Sequence, residues 1–156
     1  MTELEQKASQ AWSSMTRKPF ILDAITGVQA MPVGVAIDFV QDVTGDRDDA
    51  VTALVNAGAS WLDAQTRPSE VGEIADGCMA DAESITSYLR GEALGMASIF
   101  LGHIRLRCES ALHPNASRED RLAAHSWHLW TRKAQETIDW VRAVIDAAYP
   151  VEVKPN

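Results

Sequence analysis

Ala123, Trp127, Trp130, Ala134, Ile138, Val141, Ile145 and Ala148 recur at spacings of three and four. An α-helix completes a turn in 3.6 residues, so that interval gathers these side chains on one side of a single rod. Ser117 stands where a cap would satisfy the first free N–H groups, and Pro150 stands where the helix must stop. The pattern predicts a helix over about 118–148 followed by a short extended tail. Leu122, Leu129, Trp140 and Val144 widen the apolar arc, which predicts packing on more than one side.

The rest of the chain repeats the theme. Thr2 and Glu5 have capping-box spacing, and Leu4, Ala8, Ala11, Trp12 and Met15 form a helical stripe that Pro19 ends. Ile21, Ala24, Ile25 and Val28 suit a short helix. After Pro32, expected at the first helical position, Val33, Ala36, Ile37, Val40 and Val43 suit another. Val33, Val35, Ile37 and Phe39 also alternate as a strand would, but no second strand exists to pair with one. Thr44-Gly45-Asp46 reads as a turn. Val51, Leu54, Val55, Gly58, Trp61, Leu62 and Gln65 then trace a face that Pro68 closes. Ser69 is the expected cap of a helix striped by Val71, Ile74, Cys78, Ala82, Ile85 and Leu89. Leu94, Ala97, Leu101, Ile104, Cys108 and Ala111 continue the pattern, with Gly91 and Gly95 between, so 69–112 reads as one kinked helix or two. The expected fold class is all-α: residues 1–156 as one helical domain, a bundle of six or seven helices.

Two cysteines in 156 residues do not make a disulfide framework, and neither stands in a metal-binding spacing. The start, MTELEQKASQAW, lacks the basic and apolar run of a signal peptide, and the apolar stretch from Phe20 to Val40 is broken by Asp23, Gln29, Pro32 and Asp38. The expectation is a cytoplasmic protein with free thiols and no membrane contact.

No nucleotide-binding loop, nucleophile elbow or calcium loop is present. Cys78 and Cys108 fall on inward stripes, where a thiol acts as a small hydrophobe. Arg105 and Arg107 flank Cys108, but alternate helical residues point to different sides. His125 and His128 share a helical face and are the weak candidates for a metal, with partly buried structural histidines as the simpler reading; they lack the Glu-x-x-His context of di-iron bundles. His103 and His113 have no carboxylate at ligand spacing. Cofactors are therefore expected to be none and the protein non-enzymatic. A net charge of −8 with scattered arginines also disfavours direct contact with nucleic acid.

Charge is distributed unevenly. Residues 37–84 hold eleven acids (Asp38, Asp42, Asp46, Asp48, Asp49, Asp63, Glu70, Glu73, Asp76, Asp81 and Glu83) against Arg47 and Arg67. Arg132 with Glu136 and Arg142 with Asp146 stand four apart and can pair, whereas Glu73, Asp76 and Glu83 have no base four positions on. Acids in first helical turns answer to the helix dipole, which accounts for part of the surplus. The expected function is a non-enzymatic protein-binding module of inhibitor, immunity, antitoxin or phage and mobile-element accessory type. It would dock its acids on a basic, nucleic-acid-handling partner protein and occlude it. Asp42, Asp46, Asp48, Asp49, Asp76, Asp81 and Glu83 are the expected contacts, and Trp140 a candidate interface aromatic. The alternatives are a structural or adaptor subunit of a homo-oligomeric or multi-protein helical assembly, and a helical bundle binding a metal or small molecule.

Overall fold

The computed structural model describes residues 2–17, 31–68 and 71–151. Six α-helices lie among them: α1 (Glu3–Thr16), α2 (Val33–Thr44), α3 (Arg47–Ala64), α4 (Ala75–Arg90), α5 (Leu94–Ala111) and α6 (Arg118–Ala148). No strand occurs among the described residues. The fold is all-helical with a long last helix, as its periodicity requires. The short helix expected around Ile21–Val28 and the tail beyond Val151 lie outside the described residues, as does Ser69. Two compact units emerge, one from the described residues of Met1–Gly58 and Trp140–Asn156, the other from those of Ala59–Asp139.

In the first unit Thr2 caps α1, its hydroxyl accepting from the Glu5 N–H at 3.1 Å, and Ala8, Ala11, Trp12 and Met15 are buried as the stripe demands. Helix α2 packs on α1. The Lys7 ammonium sits 4.4 Å from the Phe39 ring centre, and the Met31 N–H donates to the Ser14 carbonyl at 3.0 Å. The rival alternation in 33–39 loses because burial follows the helical period: Ala36, Ile37 and Val40 are enclosed while Val35 is 51% exposed. Pro32 is the cap and not the first helical residue, since its ψ of 149° lies outside the helical region. Gly45, at φ 71°, closes α2 by donating its N–H to the Gln41 carbonyl at 2.7 Å. At the end of α6, Arg47 donates to the carbonyls of Ala148 at 3.2 Å and Ala147 at 3.4 Å, placing a cation where the helix dipole is negative.

In the second unit α4 and α5 pack as an antiparallel pair, burying Cys78, Ala82, Ile85 and Leu89 with Ala97, Leu101, Ile104 and Cys108. Helix α6 adds Ala123, Trp127, Trp130, Ala134 and Ile138 to this unit's core, with Trp127 and Trp130 edge-to-face at 5.5 Å between centres. Leu122 and Leu129 depart from expectation: they are 55% and 59% exposed, so the arc of α6 is narrower here than its sequence suggests. Helix α4 also starts later than 69–90 would have it. Gly72 adopts φ 110°, a conformation that leaves the helical path, and the Glu73 N–H donates to Asp120 Oδ1 at 2.7 Å. Glu73 thus precedes α4 and does not belong to its first turn, and Val71 is exposed.

Residues 69–112 resolve into two helices. The break is a Schellman closure: the Ala93 N–H reaches the Tyr88 carbonyl at 2.9 Å and the Glu92 N–H reaches Leu89 at 3.0 Å. The left-handed position of this motif, at φ 60°, is Glu92 and not the neighbouring Gly91. A residue bearing Cβ is disfavoured there by roughly 1–2 kcal/mol, of which glycine's greater unfolded freedom returns a part. Glu92→Gly is therefore expected to stabilise the protein by about 1 kcal/mol, read as a higher urea midpoint at unchanged slope.

Candidate functional site

The acids singled out by sequence fall into two groups, one in each unit. In the first unit they gather where α2 gives way to α3, and most have structural work. Asp46 is the cap of α3: its Oδ2 accepts from the Asp49 N–H at 3.1 Å, and its backbone exchanges two hydrogen bonds with the Thr44 hydroxyl. Asp48 accepts from the Tyr149 hydroxyl. Asp38 stands 3.9 Å from Arg47 in an exposed ion pair, a contact worth little in water. Asp42 and Asp49 remain exposed and form no ion pair with another described residue. On α2, Val35, Asp38 and Asp42 follow one another at helical spacing, so this outer face joins an exposed apolar side chain to two carboxylates. Asp46→Ala is expected to cost about 1 kcal/mol by uncapping α3, and Asp42→Ala less than about 0.5 kcal/mol, compared by urea denaturation.

In the second unit Asp76 and Glu83 lie on the outer face of α4 in line with Ala80 and Ser87, all exposed. Asp81 does not join them. It is 7% exposed and bonds to Arg107 of α5, so its place among the expected surface contacts is corrected to the interior. The reason is helical phase: Asp81 stands three residues after Cys78 and four before Ile85, on the buried stripe. Arg107 also donates to the Gly77 carbonyl at 3.4 Å, and its Nε lies 2.6 Å from where a Cβ on Gly77 would be. Asp63 of α3 joins the same unit's periphery, accepting from Arg90 at 2.8 Å and Arg67 at 3.0 Å. The Arg67 guanidinium in turn lies 5.3 Å from the centre of the Trp130 ring.

Cys78 and Cys108 are both free and buried. Interaction between the two thiols, with burial adding to it, holds the Cys78 thiol far above the ordinary thiol range, and the same interaction draws Cys108 below it. Arg107 lies near enough to Cys78 for its charge to oppose that rise. The flanking arginine does not point the same way as Cys108; its contacts are Asp81 and the Gly77 carbonyl. It crosses to the neighbouring helix. Both cysteines occupy inward positions of consecutive stripes, as their spacing predicts.

His125 and His128 are exposed on α6, so the reading of them as partly buried is corrected: the inward stripe passes through Ala124 and Trp127, and these two flank it. His103 stands edge-on to Phe100 at 5.2 Å, and His113 Nδ1 accepts from the Asn115 N–H at 3.2 Å. Among the described residues no three metal-binding side chains come together. Trp140 is half-buried in the first unit. No helix of the described residues is long and apolar enough to cross a membrane. Comparison with protein-family models, curated proteins and solved structures finds no match to this chain.

Proposed function

We propose that this protein is a non-enzymatic, cytoplasmic binding module that engages a basic surface of another protein through exposed carboxylates. The observation that carries the reading is the division among its acids. Asp46 and Asp81 serve the fold, whereas Asp42 and Asp49 in one unit and Asp76 and Glu83 in the other stay exposed without an ion pair to a described residue. With the chain at −8, such carboxylates raise the rate at which a cationic partner arrives and select against acidic ones. A nucleic-acid-handling protein, whose cationic face would be occluded, is the partner class this charge suits. An inhibitor, immunity or mobile-element accessory role is the form that such occlusion would take.

The test treats the two units separately, with Asp42→Lys in one variant and Asp76→Lys with Glu83→Lys in another; Asp81 is left intact because it holds α4 to α5. Pull-downs from the host, resolved by mass spectrometry at low and moderate salt, are expected to capture a basic protein. That capture should weaken with salt and fall at least tenfold in one variant. Capture indifferent to salt and to both variants would overturn the proposal.

A second reading, self-assembly of the chain, is favoured by the outer face of α5. Ile99 and Leu106 are 52% and 63% exposed, and Gly95 and Gly102 share their face with open space where a Cβ would stand. A glycine inside a helix costs about 1 kcal/mol relative to alanine, and nothing among the described residues requires one at 102; the backbone of a second copy packing there would. Light scattering across a dilution series tests it: a concentration-dependent mass abolished by Leu106→Glu supports assembly, and a monomer throughout rejects it.

A further inference from the structure

We infer that the outer face of α6 docks on the outer face of α4 of a second copy of this chain, so that copies join head to tail. The inference takes the α4 carboxylates of the docking proposal as one half of a contact and assigns the other half. It begins with α6. Arg118, Leu122, His125, Leu129 and Arg132 follow one another at spacings of four and three, and all are exposed. That interval is the one by which a helix lines up a seam for a second helix. Basic and apolar side chains alternate along it, and both leucines are more than half exposed. Arg118 and Arg132 form no ion pair with another described residue. In a chain of net charge −8 this strip is both cationic and apolar. Exposed apolar side chains aligned in this way mark an interaction face.

Charge decides what covers it. Two α6 faces laid on each other would set base against base, which disfavours pairing like with like. The complementary strip is on α4, where Asp76, Ala80, Glu83 and Ser87 are exposed at the same spacing of four and three. Acids stand where α6 has bases, and small side chains stand where it has leucines. Laying the two helices parallel brings equivalent seam positions together. One register opposes no like charges: His125 faces Asp76, Leu129 packs on Ala80, and Arg132 meets Glu83. Shifted one heptad, with Arg118 on Asp76, the seam would set Arg132 against Arg90, which Asp63 already holds at 2.8 Å. Shifted the other way, it would set Asp139 against Glu83. Base against acid and large against small make the contact complementary in charge and in shape.

The two faces differ, so a single contact leaves one of each still open. Each copy offers α4 to one neighbour and α6 to another, which builds rings or open chains and not a closed two-fold dimer. The seam from His125 to Arg132 covers about two helical turns. Association over so short an overlap is weak, dependent on concentration and strongest at low ionic strength. It is separate from assembly through α5, since Ile99 and Leu106 take no part. Asp76 and Glu83 are covered in such an array, so self-association and capture of a basic host protein by those carboxylates exclude each other.

The experiment uses the full chain purified without a tag, with mass read by light scattering over a dilution series at low and moderate salt. The wild-type mass is expected to rise with concentration and to fall as salt is added. Asp76→Lys with Glu83→Lys in one variant, and His125→Glu with Arg132→Glu in another, should each weaken association at least about tenfold, because each opposes like charges across the seam. An equimolar mixture of the two variants should assemble again, since each supplies the charge that the other now lacks. Leu106→Glu should leave the assembly intact. All of these positions are exposed, and circular dichroism confirms that the variants keep their helices. A wild-type monomer at every concentration would overturn the inference, while capture of a host protein would still decide the docking proposal. Association indifferent to both charge variants, association abolished by Leu106→Glu, or a mixture that stays monomeric would overturn it as well.

Discussion

Arg107→Met is expected to destabilise the protein by about 3 kcal/mol, and Asp81→Ala by only about 1 kcal/mol, although both break the same ion pair. The asymmetry follows from where each charge is left. Removing Arg107 strands a carboxylate whose side chain is 10% exposed, next to apolar stripes on α4 and α5. Removing Asp81 strands a guanidinium that is 39% exposed and can turn to water while keeping its stem on Gly77. Asp81→Asn introduced into the Arg107→Met chain should recover most of the loss, because a neutral amide costs far less to bury than an unpaired carboxylate. Urea denaturation of the two single variants and the double variant measures all of this. Equal losses in the single variants would show that the pair behaves as a surface bridge, and the interior placement of Asp81 would then be wrong.

Gly58→Ala is expected to lower stability by about 2 kcal/mol, against the ordinary preference of helices for alanine. Propensity alone would raise it by about 0.8–1 kcal/mol. Trp12 decides the sign. A Cβ on Gly58 would meet three carbons of the indole at 2.5, 2.6 and 2.8 Å, and that ring is 2% exposed and held in the core of its unit. A rigid aromatic cannot yield as the end of a lysine would, so the added methyl forces a backbone shift, with overpacking losses of about 1–3 kcal/mol. In a Trp12→Leu background the obstacle is gone, and Gly58→Ala should become neutral or stabilising. A higher urea midpoint for Gly58→Ala in the wild-type chain would contradict the close approach of α1 and α3.

Much of the helical architecture was legible because helix formation is local. The capping hydroxyls of Thr2 and Ser117 accept from Glu5 and Asp120 as their spacing implied, and the stripes of α1, α5 and α6 coincide with buried residues apart from the half-buried Leu4, Leu94 and Ile145 and the exposed Leu122 and Leu129. Errors arose where a local rule met a distant partner. Asp120, nearly fifty residues downstream, holds the turn at Glu73 and delays α4 to Ala75. The acids show the same limit: one-dimensional charge counting treated Asp46, Asp81 and Asp42 alike. A cap, a buried ion pair and a solvated carboxylate differ only in what surrounds them.

Periodicity, caps and prolines by themselves determined that this chain is helical, where most of its helices lie, and which face of each turns inward, because those properties depend on neighbours within a turn or two. The tertiary structure alone decided which inward faces meet. Placing α4 against α5 sends Arg107 across to Asp81, and placing α1 against α3 makes Gly58 indispensable. Those pairings join residues 26 to 46 positions apart in the chain. The energy of such contacts depends on distance in space and on exclusion of water, and a linear pattern encodes neither.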